Sequence, residues 1–170
     1  MRLRPARSID APALAALLEA RLPDTRYAGV ARVVPKIARQ MFAHAAQRHG
    51  GTTDGATFLM IAESDAGEIE AFILGSLGRI YGVLNTLAAT DHFLVGRKGC
   101  NPRAMNRLLD AYIGWADANP RVYEIGLSWS DTVPDSEGII AAYERRGFTL
   151  FSKAFRREGR AWANIEDIAA

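Results

Sequence analysis

Cysteine is almost absent from these 170 residues: Cys100 stands alone. An internal disulfide is therefore excluded, and a reducing compartment, the cytoplasm, is the expected location. No Cys/His set has the spacing of a zinc site. His44 and His49, five apart on one helical segment, do not share a helix face and read as surface residues, so no metal is expected. An excess of one charge is missing too. Lys and Arg number 21 against 19 Asp and Glu, a net +2, which points neither to nucleic acid nor to a membrane surface. No apolar run approaches the roughly 20 residues of a membrane span. Met1-Arg-Leu-Arg-Pro lacks the apolar stretch of a signal peptide. Repeats, low-complexity tracts and internal linkers are lacking as well. No G-x-G-x-x-G follows the first predicted strand, which argues against a Rossmann dinucleotide site.

What is present is ordinary globular material, 49% hydrophobic and 24% charged. The length suits one domain, residues 1–158, with 159–170 (Trp162 included) as a tail or docked arm. Leu3 to Arg7 reads as a strand. Asp10 is placed to cap a helix carrying Leu14, Leu17 and Leu18, with Pro12 in its first turn. A second helix spans Val30 to Arg48 with Val33, Val34, Ile37, Met41 and Ala45 as its stripe; Pro35 either kinks it or marks a later start. Thr57–Glu63 and Glu68–Ile80 form a hairpin turned by Ser64-Asp65-Ala66-Gly67. Thr86–Gly96 is a further strand. Asn101–Asn119 is the clearest helix, with Met105, Leu108, Leu109, Tyr112, Ile113 and Ala116 on its buried side. A strand (Val122–Trp129), a helix (Ser136–Arg146) and a last strand (Thr149–Arg157) complete a mixed α/β sheet with helices on both faces.

Two stretches carry chemistry. Tyr143-Glu144-Arg145-Arg146-Gly147-Phe148 sets a phenol near the end of a short helix, with a glycine to stop it and a strand to follow. The second is the turn into the long helix. Arg97, Lys98, Arg103 and Arg107 surround a helix start whose Asn101-Pro102 reads as an N-cap followed by proline at the first helical position. Pro102 has no N–H, and the Asn101 side chain can take up the amide of Arg103 or Ala104.

In this order the chain resembles the GNAT superfamily of acyltransferases, which use acetyl-coenzyme A. Four pieces carry the likeness: Leu3–Arg7 with Asp10, Phe93-Leu94-Val95, Leu108-Leu109 thirteen residues beyond Val95, and Tyr143–Phe148. The resemblance implies transfer of an acetyl group from acetyl-CoA to an amine, either a small molecule or a protein. No metal, nucleic acid or membrane enters, and a homodimer is allowed. Phe93, Val95, Arg97, Lys98, Asn101, Arg103, Ala104, Met105 and Ser136 fall at the positions that meet the cofactor. The Val95 amide would polarise the acetyl carbonyl. Ser136 stands where many relatives have an Asn on the pantetheine arm. Tyr143 matches the tyrosine that protonates the departing sulfur. Asp91, at even spacing from Val95 and so on its face, matches a carboxylate that draws the amine proton; His92 points to the other face. The resemblance also implies acceptor contacts from Leu22–Gly29 and Arg79–Asn85, and the loop Ser130–Asp135 suits a ligand groove.

One part departs from the family. Its phosphate loop runs roughly Arg/Gln-x-x-Gly-x-Gly/Ala, and the three positions here carry Cys100, Arg103 and Met105. Either arginines hold the diphosphate in place of glycine amides, or the cofactor has been lost and a basic, ordinarily capped helix remains. The second case is a catalytically inactive GNAT-like binding or structural module. Leu109–Ala116 has a faint likeness to phage-encoded relatives.

Overall fold

A computed structural model describes residues 1–128, 137–151 and 156. The chain divides into two compact units, one ending at Pro134 and one beginning at Asp135. The first is built on a five-stranded sheet in the order β1 (Arg2–Pro5), β2 (Thr57–Glu63), β3 (Ile69–Arg79), β4 (Leu87–Gly96), β5 (Val122–Gly126). All pairings are antiparallel except β4 with β5, which run parallel.

Two helices, α1 (Ala11–Arg21) and α2 (Pro35–Gln47), cover one face. Leu14, Phe42, Leu59, Ile61 and Phe72 are fully buried there. Phe42 meets the Phe72 ring edge-on at 5.2 Å, a geometry that adds to plain area burial. Helix α3 (Pro102–Asp117) covers the other face. Its Tyr112 packs so closely on β3 that a Cβ at Gly75 would fall 2.4 Å from the ring. Only glycine fits that position. Phe58 stacks on Trp115 at 5.2 Å beside it.

Of the two alternatives for Pro35, the later start is the one observed: α2 begins there, because a residue before proline is driven out of the helical region and Val34 is extended at φ −90, ψ 104. Three sequence expectations change. The buried stripe of α2 is Ala38, Phe42 and Ala45, while Ile37 is exposed. Asp10 does not cap α1: its carboxylate accepts both Nη groups of Arg4 at 2.7 and 3.0 Å and the Arg7 N–H at 2.7 Å. Arg4 also donates to Glu63 at 2.8 Å, so this cluster ties β1 to β2 and to the entry of α1. His49 is half-buried rather than on the surface. Its Nδ1 accepts the Leu59 N–H at 2.9 Å, and burial holds its pKa below 6.5.

The second unit contributes α4 (Glu137–Glu144), closed by Gly147 at φ +83, where glycine is at ease. The expected last strand, Ser136, the loop 130–135 and the stretch 159–170 lie wholly or mostly outside the described residues.

Candidate functional site

The ladder between β4 and β5 is short. It pairs Leu87 with Val122 and ends at Thr90 with Gly126. Immediately after it, β4 is irregular: Asp91 opposes Gly75 and Phe93 opposes Leu74, which leaves His92 as an extra, bulged residue. A bulge bends its strand and ends regular pairing. From there to Gly96, β4 is paired with β3 alone among the described residues.

The bulge also resets which groups point where. Arg97 N–H donates to the Glu70 carbonyl at 2.7 Å. Antiparallel alternation therefore turns the main-chain groups of Val95 and Phe93 toward β3. The main-chain groups of Leu94 and Gly96 point away from β3, to the β5 side, beyond the end of the described β4–β5 ladder. The side chains of Phe93 and Val95 enter the core under α1 and α2.

Asp91 changes sides for the same reason. With one extra residue between them, Asp91 and Val95 lie on opposite faces, against the even-spacing expectation. Asp91 shares the α3 face with Gly75 and is buried. Its Oδ1 accepts the Ser128 N–H at 2.7 Å, and burial pushes its pKa above the usual carboxylate value. His92 is on the face opposite Asp91, as expected. Its Nε2 and the Ser76 Oγ are 2.7 Å apart. Both line a cavity of about 540 Å³ between α2 and strands β2, β3 and β4. Arg48 and His44 of α2 line it too. Nothing in the sequence joins these residues, which come from separate elements and meet only through the register.

At the start of α3 the expected cap is present. Asn101 Oδ1 accepts the Arg103 N–H at 2.9 Å, and the Asn101 carbonyl accepts the Ala104 N–H at 2.8 Å. Ala104 is buried, and Met105 packs with Cys100 over Gly96. Two of the four cations are engaged: Arg97 with Glu68 at 3.0 Å, and Arg107 with the Met1 carbonyl at 3.5 Å. Lys98 and Arg103 are exposed and bond no side chain among the described residues. The N–H groups of Lys98, Gly99 and Asn101 likewise have no acceptor there. Gly99, at φ +75, turns the chain between them.

In the second unit, Tyr143 is buried, with its ring 6.3 Å from that of Phe148. Of the expected acceptor contacts, Arg79 is tied to Asp54 at 3.3 Å and to the Leu84 carbonyl at 3.2 Å, and Asp24 to Arg21 at 2.6 Å. No group of side chains among the described residues could hold a metal ion, and no helix is long and apolar enough to cross a membrane.

Neither a family model nor a curated protein matches the sequence. Solved structures do match. Glucosamine-6-phosphate N-acetyltransferase from Arabidopsis thaliana aligns at TM-score 0.64 and 12% identity, over 92% of this chain and 97% of that one. A Trypanosoma brucei acetyltransferase aligns at 0.62 and 12%, over 92% and 98%. The fold is that of the GNAT acetyltransferases. A Bacillus halodurans C-125 protein titled a transcriptional regulator shares the GNAT fold as well, at TM-score 0.67 and 15% identity, over 93% of this chain and 99% of that one. At such identities the likeness concerns the GNAT fold alone.

Proposed function

We propose that this protein is an N-acyltransferase that moves an acetyl group from acetyl-CoA to an amine. The observation that carries the reading is the parting of β4 from β5 after Thr90 and Gly126. It leaves main-chain donors and acceptors of Leu94 and Gly96 without a strand partner on that side among the described residues, on the strand that leads into the basic turn before α3. An extended pantetheine arm has the amide spacing to satisfy such groups as a missing strand would. The diphosphate is assigned to the turn before α3 rather than to the helix start itself. Pro102 has no N–H and that of Arg103 is already capped, whereas the Lys98 and Gly99 amides and the Lys98 and Arg103 side chains have no protein partner among the described residues. Arg97, Asn101, Ala104 and Met105 shape the turn.

Acetyl-CoA, when bound, supplies an activated thioester; the protein's residues do the rest. The Leu94 or Gly96 amide, in place of that of Val95, donates to the acetyl carbonyl and stabilises charge on its oxygen. His92 takes the proton that the amine gives up as its nitrogen bonds the carbonyl carbon. It faces the cavity, and once protonated its Nε2–H can donate to Ser76 Oγ, whereas Asp91 is bound to Ser128 on the far side of the sheet. Tyr143 holds a phenolic proton for the thiolate released when the carbon–sulfur bond breaks. Ser136 is assigned to the pantetheine arm on the family resemblance alone.

The second reading, a GNAT fold without catalysis, rests on one feature: the internally satisfied cap at Asn101. Release of free thiol from acetyl-CoA with a panel of amines separates the two. The transferase reading expects turnover that falls sharply in His92→Gln with little change in acetyl-CoA affinity. A chain that binds acetyl-CoA but never turns over with any amine overturns it.

A further inference from the structure

We infer that the acceptor is a small amine that carries its own anionic group, and that Arg48 recognises that group. The inference rests on the transferase reading above and goes beyond it, to the class of acceptor. Its basis is the charge of the cavity on the α1/α2 face. The volume, about 540 Å³, falls within the range of small-molecule sites. Leu74 and Phe93 give it an apolar floor. Its polar lining consists of His44, Arg48, Ser76 and His92, with Thr57 already donating to the Ala45 carbonyl at 2.6 Å. No described lining residue is acidic.

Arg48 stands apart from the other arginines of this unit that pack along the sheet. Arg4, Arg79 and Arg97 each hold a carboxylate. Arg48 has no carboxylate and no other side-chain acceptor among the described residues. Its guanidinium lies against the Gly55 backbone, where a Cβ would fall 2.1 Å from Nη2. The acid nearest in sequence, Asp54, is taken by Arg79 at 3.3 Å. Arg48 lines the cavity, and its guanidinium, which lies over Gly55, has no counter-ion among the described residues; such a fork suits the two oxygens of a carboxylate or phosphate. The same field disfavours a plain alkylammonium or a polyamine, whose charge meets only like charge. With His92 at the bulge as proton acceptor and Arg48 on α2, the cavity provides for both ends of an amino acid or a phosphorylated amine.

Paired probes test this on the full chain by calorimetry. Leucine against leucinamide tests the carboxylate, and phosphoethanolamine against ethanolamine the phosphate. Acetyl-CoA is titrated separately. The acidic member of at least one pair should bind tenfold or more tightly than its neutral partner. Arg48→Gln should abolish that preference without weakening the neutral partner, and Arg48→Lys should restore part of it. Equal or tighter binding of the neutral members to the unaltered protein overturns the proposal whatever the variants do. So does a preference that survives in a folded Arg48→Gln chain. If acetyl-CoA binds and no acid is preferred, the acceptor class is wrong, and the transferase reading is decided separately by thiol release. If an acid binds through Arg48 and acetyl-CoA does not bind, the cavity assignment stands and the transferase reading falls.

Discussion

Asp91→Asn and Asp91→Ala together distinguish a structural carboxylate from a catalytic base. Asp91 is only 7% exposed, and its Oδ1 accepts the Ser128 N–H at 2.7 Å. Asn keeps an acceptor oxygen at that position, whereas Ala leaves a part-buried N–H without a partner, at about 1–3 kcal/mol. Charge adds a pH signature. Burial raises the carboxyl pKa in the folded state, so the folded protein binds this proton more tightly than the unfolded one. That stabilisation is complete below the unfolded value of about 3.9 and is lost as pH rises through the folded value. Asn, neutral throughout, lacks this slope. Urea unfolding of the three proteins at pH 5 and pH 8 should therefore find Asn at or above the unaltered protein at the higher pH, and Ala below Asn by about 2 kcal/mol at both. Turnover should survive in Asp91→Asn, since the proposed base is His92. An Asn variant as unstable as Ala would refute the hydrogen-bond reasoning. An Asn variant as inactive as His92→Gln would return the base to Asp91.

Asp10→Asn removes one partner of a nearly buried pair (side-chain exposure 13% for Arg4 and 10% for Asp10) and should cost about 3 kcal/mol in urea at pH 7. Arg4 holds the Asp10 pKa below its usual value. Its stabilisation is therefore present above about 3.9 and lost as pH falls through the folded value, so the two proteins should converge in acid. Gly75→Ala sets a methyl 2.4 Å from the Tyr112 ring and 3.0 Å from the Thr90 carbonyl. It should lower stability by about 1–3 kcal/mol, and adding Tyr112→Leu should recover part of the loss in thermal midpoint. Tyr143→Phe should lower turnover by roughly two orders of magnitude, as loss of a proton donor does, while acetyl-CoA affinity by calorimetry stays unchanged.

Periodicity made α3 legible, because a 3.6-residue stripe from Met105 to Ala116 is a local signal; Leu108, Leu109, Tyr112 and Ala116 are all buried. The hairpin was legible through its turn, where Gly67 adopts φ +80. The Asn101 cap could be read directly, since it needs only two neighbouring residues. What stayed hidden depends on pairing. The bulge at His92 has no mark in β4 alone; it exists only against Gly75, and that glycine is set by Tyr112 from another element. Asp91 was therefore expected beside Val95 and lies on the opposite face. Asp10 was expected to cap a helix because the local rule was satisfied, but the guanidinium of Arg4 competed more strongly for the same oxygens. The Arg48, Ser76 and His92 cavity was unreadable for the same reason, since α2, β3 and β4 meet only once the sheet is in register.

The proposed transferase requires a turn poor in glycine and rich in cations to grip a nucleotide's diphosphate. Calorimetry of the unaltered chain against acetyl-CoA, beside Lys98→Glu and Arg103→Glu, tests it most directly. Micromolar affinity that either charge reversal abolishes is the expected result. Absence of binding at millimolar acetyl-CoA, or binding indifferent to both reversals, would contradict it.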